Sequence, residues 1–173
     1  PGSLGGGVVM NAGAYGGELK DVLREVTALF PDGVHTLRGE ELKLGYRRSV
    51  FTDCSEAVVL RARLALTRGD ADAIKSRMDE LAAKRRASQP LELPSAGSTF
   101  KRPDGYFAGT LIEQCGLKGL RVGGAEVSRK HAGFLVNVGG ATCADVLGLI
   151  EKVQETVLAA TGVALEPEVK LIR

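Results

Sequence analysis

The feature that most constrains this fold is a change of hydrophobic period near residue 69. Before it, apolar residues alternate or run in short blocks; after it, they recur at helical spacing. Glu25-Val26-Thr27-Ala28-Leu29-Phe30 leads into Pro31-Asp32-Gly33, a strong turn signal, and then into Val34-His35-Thr36-Leu37, which predicts a hairpin. Residues 57–66 continue the β pattern, alternating apolar and basic side chains in the middle as a half-exposed strand should. Asp70 then reads as the cap of a helix over 71–87. Ile74, Met78, Leu81 and Ala82 share one face of it, and Lys84-Arg85-Arg86 occupies the last turns, where the helix dipole favours cations. Pro90 and Pro94 close it. The expected domain boundary is therefore near residue 69.

Downstream, residues 108–114 read as a short helix stopped by Gly116, and residues 118–127 as short extended pieces rich in glycine. Gly133 to Val138 has the pattern of a buried strand. Thr142 caps a helix carrying Val146, Ile150, Val153 and Val157, and Gly162 ends it. Residues 163–165 and 169–172 read as closing strands. This order predicts a compact α+β unit. At the other end, glycines 2, 5, 6, 7, 13, 16 and 17 predict tight turns whose N–H groups face an anion or a flat ring, with a multi-turn linker as the alternative. The spacing matches neither the dinucleotide fingerprint nor a Walker loop.

A chain of 173 residues can form one large or two small domains with a sizeable core. No apolar run approaches the roughly 20 residues that cross a bilayer, so no membrane partner is expected. The net charge of +2 is spread among acids, and the Lys84-Arg86 run reads as a solvated helix end, so no nucleic-acid partner is expected either. Cys54, Cys115 and Cys143 are odd in number and lack Cys-x-x-Cys spacing, and only His35 and His131 are available, which argues against a disulfide framework, a zinc site or a His-rich metal site. A reducing cytoplasm and a monomer are the expectation. The opening Pro1-Gly2-Ser3-Leu4-Gly5-Gly6-Gly7 carries neither an initiating Met nor a signal-peptide pattern, and reads as the interior of a longer protein.

Three polar constellations stand at the edges of apolar runs: Gly45-Tyr46-Arg47-Arg48-Ser49, Ala96-Gly97-Ser98-Thr99-Phe100-Lys101-Arg102-Pro103, and Leu165-Glu166-Pro167-Glu168-Val169. Lys101 and Arg102 suit phosphate or carboxylate, the arginine by two bonds at once. Ser98 lacks the Gly-x-Ser-x-Gly elbow, and His131 sits in a basic run with no nearby acid, which argues against a Ser-His-Asp hydrolase. His131 reads better as a packed residue than as a base, and an Arg47–Glu168 structural bridge stays open as an alternative.

Taken together with Met10-Asn11-Ala12-Gly13-Ala14-Tyr15-Gly16, Gly116-Leu117-Lys118-Gly119 and Val127-Ser128-Arg129-Lys130-His131-Ala132-Gly133-Phe134, these segments resemble, over nearly the whole chain, the flavin-dependent UDP-N-acetylenolpyruvoylglucosamine reductases (MurB), in their shorter, type II form. The resemblance implies the C-terminal part of a FAD-binding, PCMH-like domain at 1–68, an α+β substrate-binding domain at 69–163, and a segment at 164–173 that returns to the active site. It implies reduction of UDP-N-acetylglucosamine enolpyruvate to UDP-N-acetylmuramate by hydride from FAD that NADPH has reduced. Arg47 would hold the substrate carboxylate, Glu168, protonated, would help polarise it, and Ser98 would deliver the proton. Tyr46 would shape the pocket; Lys101, Arg102, Lys130 and His131 would face the diphosphate and uridine end of the UDP-sugar. Gly2, Ser3, Gly5, Gly6, Asn11, Ala12 and Gly13 would lie along the flavin. A non-catalytic nucleotide-sugar or flavin binding module of the same fold is the alternative. Another flavoenzyme of this fold, such as an alcohol oxidase, would have no use for the Lys101-Arg102 phosphate clamp.

Members of the family carry a further segment of flavin domain upstream, with its own glycine-rich loop to the FAD diphosphate. Without it, this chain is expected to bind FAD poorly and to reduce nothing. Visible absorbance of the purified chain checks this: a colourless protein is expected, and a stoichiometric yellow one would contradict it.

Overall fold

The computed structural model describes residues 2–172; Pro1 and Arg173, at the two ends of the segments just assigned, lie outside the described residues. The chain divides into two compact units, Pro1–Asp70 and Ala71–Arg173, each with its own hydrophobic core.

The first unit opens on a helix, α1 (Leu4–Val9), where the sequence reading expected tight turns. Each glycine inside a helix costs about 1 kcal/mol relative to alanine, so Gly5-Gly6-Gly7 does not make this helix by propensity. Two other things do. Ser3 caps it, its Oγ accepting the Gly6 N–H at 3.1 Å, and Val8 is fully buried in the core. Gly7 also leaves room: a Cβ there would stand 3.2 Å from Leu19 Cδ1.

A two-residue hairpin follows, β1 (Gly13–Ala14) with β2 (Gly17–Glu18), then the single turn α2 (Leu19–Val22). The predicted hairpin is present as β3 (Leu23–Phe30) and β4 (Gly33–Arg38). A 3-10 turn (Gly39–Leu42) and a short helix, α3 (Val50–Asp53), lead to β5 (Val58–Leu64), which pairs antiparallel with β3 to give the order β4-β3-β5. Val26 and Ala28 of β3 pack with Val8, Leu42 and Phe51 in the core. On the opposite face Val34, Leu29 and Val58 form one exposed row across the three strands.

The second unit begins with α4 (Ala71–Ser88), a helix close to the predicted bounds but not in the predicted role. None of its residues is buried, and Ile74 and Met78 are half or more exposed. Its support is ionic and local: Lys75–Asp79 at 3.1 Å, Arg77–Glu80 at 2.5 Å and Lys84–Glu80 at 2.6 Å. After α5 (Ala108–Gln114), strands β6 (Arg121–Val122), β7 (Ala125–Val127) and β8 (Leu135–Asn137) form an antiparallel sheet in sequence order. Across it lies α6 (Cys143–Thr161), whose Leu149, Val153 and Val157 are fully buried with Ile112, Ala125 and Val127. The expected closing strands do not form. Residues 163–172 carry a single isolated bridge, Phe100 with Pro167.

The two ends of α6 follow the sequence reading. Thr142 Oγ1 accepts the Asp145 N–H at 3.1 Å, Asp145 Oδ2 accepts the Thr142 N–H at 2.9 Å, and Gly162 closes the helix at φ +73°. Asp145 also accepts from Gly124 N–H at 3.4 Å, and a Cβ on Gly123 would collide with its carboxylate at 2.4 Å, so this one side chain fixes α6 against the β6–β7 turn. The Thr142 backbone and hydroxyl bonds, more than the Gly124 bond, hold the Asp145 carboxyl below its ordinary pKa.

Thr142→Ala should therefore lower stability by about 1 kcal/mol, read from denaturant unfolding. Because the folded-state pKa of Asp145 is depressed, its contribution is present above the unfolded carboxylate value and is lost as pH falls through the folded one. The stability gap between wild type and Asp145→Asn should close on acidification below the usual carboxylate range; a gap that stays constant there would contradict this.

Candidate functional site

In the second unit, the candidate residues gather around one extended segment, 98–101. On one side, Ser98 bridges Phe134, and Thr99 N–H donates to Gly133 O at 2.8 Å. On the other, Thr99 O accepts the Glu168 N–H at 2.8 Å, and Lys101 N–H donates to Glu166 O at 2.8 Å. The segment thus bridges residues 133–135 on one side and 166–168 on the other. It places Ser98 and Glu168, 70 positions apart in number, on neighbouring pieces of backbone. Thr99 and Phe100 turn inward, 3% and 2% exposed, while Ser98 faces outward with its Oγ 3.4 Å from Phe100 O. Gly97, at φ +90°, makes the preceding bend, which Ser95 Oγ holds by accepting its N–H at 3.2 Å.

The cations expected at a diphosphate have protein partners. Lys101 is ion-paired with Glu166, and Arg102 lies 4.0 Å over the Phe107 ring while donating to Tyr106 O at 3.3 Å. Lys130 is turned toward the end of α4, its Nζ 2.8 Å from Arg86 O and 3.6 Å from Glu92. His131 is packed: Nδ1 accepts the Gly133 N–H at 3.1 Å, the ring meets Phe134 edge-on at 5.0 Å, and Gly109 gives it room. An Nδ1 that accepts a backbone N–H leaves Nε2 as the ring's remaining polar atom.

In the first unit, Gly45, Tyr46, Arg47 and Arg48 make a closed turn, with Gly45 N–H donating to Arg48 O at 3.0 Å and Arg48 N–H to Gly45 O at 3.2 Å. Arg47 occupies the left-handed region at φ +52°, uncommon for a non-glycine residue. Its guanidinium donates to Gly13 O at 3.2 Å and lies 5.5 Å from the half-exposed Tyr46 ring. Ser49 ties the turn to α1, donating from Oγ to Val9 O at 2.6 Å while capping α3. The predicted residues Asn11, Ala12 and Gly13 lie on the same side of this unit as Tyr46 and Arg47. Gly13 admits no Cβ, which would stand 2.6 Å from Glu18 Cγ and 2.8 Å from Gly17 O. Gly2 and Gly6, by contrast, are exposed, and a Cβ on Gly2 would meet nothing within 4 Å. Of the predicted set, Asn11 alone is fully enclosed, at 1% exposed.

The residue that sequence reasoning did not single out is Thr99. It carries both flanking backbone bonds and adds a buried one through its side chain, Oγ1 accepting the Leu135 N–H at 3.2 Å. A hydroxyl between a loop serine and a phenylalanine gives no signal of that. Among the described residues no cluster of three or more metal-ligating side chains occurs.

Comparison with known proteins bears on what such a site serves. Residues 89–172 match the family model described as UDP-N-acetylenolpyruvoylglucosamine reductase, C-terminal domain. Over 173 residues the chain is 56% identical to the UDP-N-acetylenolpyruvoylglucosamine reductase of Exiguobacterium sibiricum, covering 99% of this chain and 57% of that protein. It is 61% identical to the enzyme of that name from Agathobacter rectalis, covering 99% and 55%. The crystal structure of the Thermus caldophilus reductase (MurB) superposes with a TM-score of 0.83 at 40% identity, over 96% of this chain and 59% of that one. The chain therefore spans little more than half the length of the curated relatives it matches.

Removing the Thr99 hydroxyl leaves the Leu135 N–H buried and unsatisfied, which costs about 1–3 kcal/mol. Thr99→Val should show that loss in denaturant unfolding, and Thr99→Ser should recover most of it.

Proposed function

The chain belongs to the UDP-N-acetylenolpyruvoylglucosamine reductase family, and from that membership we propose that it carries the substrate-handling residues for reduction of UDP-N-acetylglucosamine enolpyruvate to UDP-N-acetylmuramate, a step in peptidoglycan precursor synthesis. The observation that carries the reading is the pairing of residues 98–101 with 166–168, which sets a hydroxyl and a carboxyl side chain on adjacent backbone in the second unit.

The reaction adds a hydride to the outer carbon of an enol ether and a proton to the inner one. Negative charge builds toward the inner carbon and its carboxylate, and stabilisers must be aimed there. Arg47 of the first unit would hold the carboxylate. Its left-handed backbone, closed turn and bond to Gly13 O support a preset guanidinium over a searching one. Glu168 of the second unit would serve to polarise a carboxylate. Ser98 would release its proton to the inner carbon. An aliphatic hydroxyl is a weak acid, so this step suits only a strongly basic, carbanion-like centre, which also explains a serine with no histidine partner.

Lys101 and Arg102 would take the diphosphate. Lys101 would exchange Glu166 for a phosphate oxygen, a swap of one exposed anion for another. Lys130 and His131 would serve the uridine end, His131 through its ring face or Nε2 because Nδ1 is already engaged. Tyr46 would wall the pocket beside Arg47.

The residues toward the cofactor would be Gly2, which is exposed with nothing near a Cβ, then Ser3, Gly5 and Gly6, and Ala12 and Gly13 in the stretch that follows. FAD held there and reduced by NADPH would supply the hydride. The described residues include no helix long and apolar enough to cross a membrane, and a cytoplasmic monomer is part of the same proposal.

In FAD-loaded protein containing this chain, Ser98→Ala should lower kcat by about 10²–10⁴-fold with little change in substrate affinity. Equal turnover in the variant would remove Ser98 from the chemistry and favour a module that only binds nucleotide sugar or flavin.

A further inference from the structure

Asn11 stands in the same stretch of chain as the glycines expected along the flavin, and its side chain is buried within the protein. It is 1% exposed and sits at φ +45°, a left-handed conformation that asparagine tolerates better than most residues. Its Nδ2 donates to Glu18 Oε2 at 2.9 Å and to Gly45 O at 2.9 Å, and its Oδ1 accepts the Lys20 N–H at 2.9 Å. A carboxylate and a carbonyl on one side and an N–H on the other fix which end of the amide is nitrogen. Both N–H donors are spent, so the side chain has none left to offer a cofactor.

The bond to Gly45 spans 34 positions and ends on the first residue of the turn that carries Tyr46 and Arg47. Gly45 O also accepts the Arg48 N–H that closes that turn. One buried amide thus joins three pieces: the end of α1, the β2–α2 corner through Glu18 and Lys20, and the arginine turn. Glu18 is itself held as the anion, its pKa lowered first by Lys20 and then by Asn11.

We propose that Asn11 is a positioning residue for Arg47: it clips the Gly45–Arg48 turn to the glycine-rich segment, so that the guanidinium points where a substrate carboxylate must bind. This role presupposes the function assigned to Arg47 above. A glycine at position 11 keeps the left-handed backbone and removes only the clip, which separates the side chain's part from the backbone's.

Two measurements on the 173-residue chain test it. In Asn11→Gly, amide exchange at Gly45 and Arg48 should quicken about tenfold or more, while Val26 and Ala28 in β3 keep wild-type protection as a control on folding. Binding of UDP-N-acetylglucosamine enolpyruvate should weaken about tenfold, binding of UDP-N-acetylglucosamine, which lacks the carboxylate, should not change, and in an Arg47→Ala background the Asn11→Gly substitution should add nothing. Unchanged exchange at Gly45 and Arg48, or an effect that adds fully to that of Arg47→Ala, would overturn the proposal. If the wild-type chain does not distinguish the two sugar nucleotides, it is the assignment of Arg47 that fails, and the exchange result alone decides whether Asn11 sets the turn.

Discussion

Everything in the second unit that bears on chemistry depends on the backbone pairing of one four-residue segment, Ser98–Lys101, with chain on both sides of it. Extended backbone must place each buried N–H and C=O against a partner. Thr99 places its N–H against Gly133 and its carbonyl against Glu168, and Lys101 its N–H against Glu166. Thr99 and Phe100 are both buried while Ser98 is exposed, so this segment does not alternate as a regular strand would.

The same backbone pairing holds the C-terminal stretch, which forms no strand of its own. Glu166 and Glu168 make the bonds on either side of Pro167, and the stretch docks at these points along 99–101. Docking at points positions Glu168 closely while leaving Glu166 free to neutralise Lys101.

Much of this fold was legible in the residues. Thr142 and Gly162 bound α6 because capping and left-handed termination are local chemistry, and Pro31-Asp32-Gly33 marks its hairpin for the same reason. What depends on distant partners was not legible. Leu4–Val9 is helical because Val8 finds a core and Ser3 a donor, against three glycines that by themselves favour a loop. Ile74 and Met78 have the spacing of a buried face, yet α4 buries nothing, since spacing says that a face exists and not that anything covers it. The same division holds in the candidate site. Ser98, Arg47 and Glu168 stand out as polar residues at the edges of apolar runs, whereas the groups that hold them, Thr99 and Asn11, are recognised only once their partners 36 and 34 positions away are known.

The central claim is that these polar turns handle one enolpyruvyl sugar nucleotide. It is tested most directly by titrating the isotopically labelled chain with UDP-N-acetylglucosamine enolpyruvate and following backbone amide resonances. The account predicts the largest shifts at Ser98–Lys101, Glu166–Glu168 and Arg47, with α4 silent. Saturable shifts confined to other surfaces, with those segments unmoved, would contradict it.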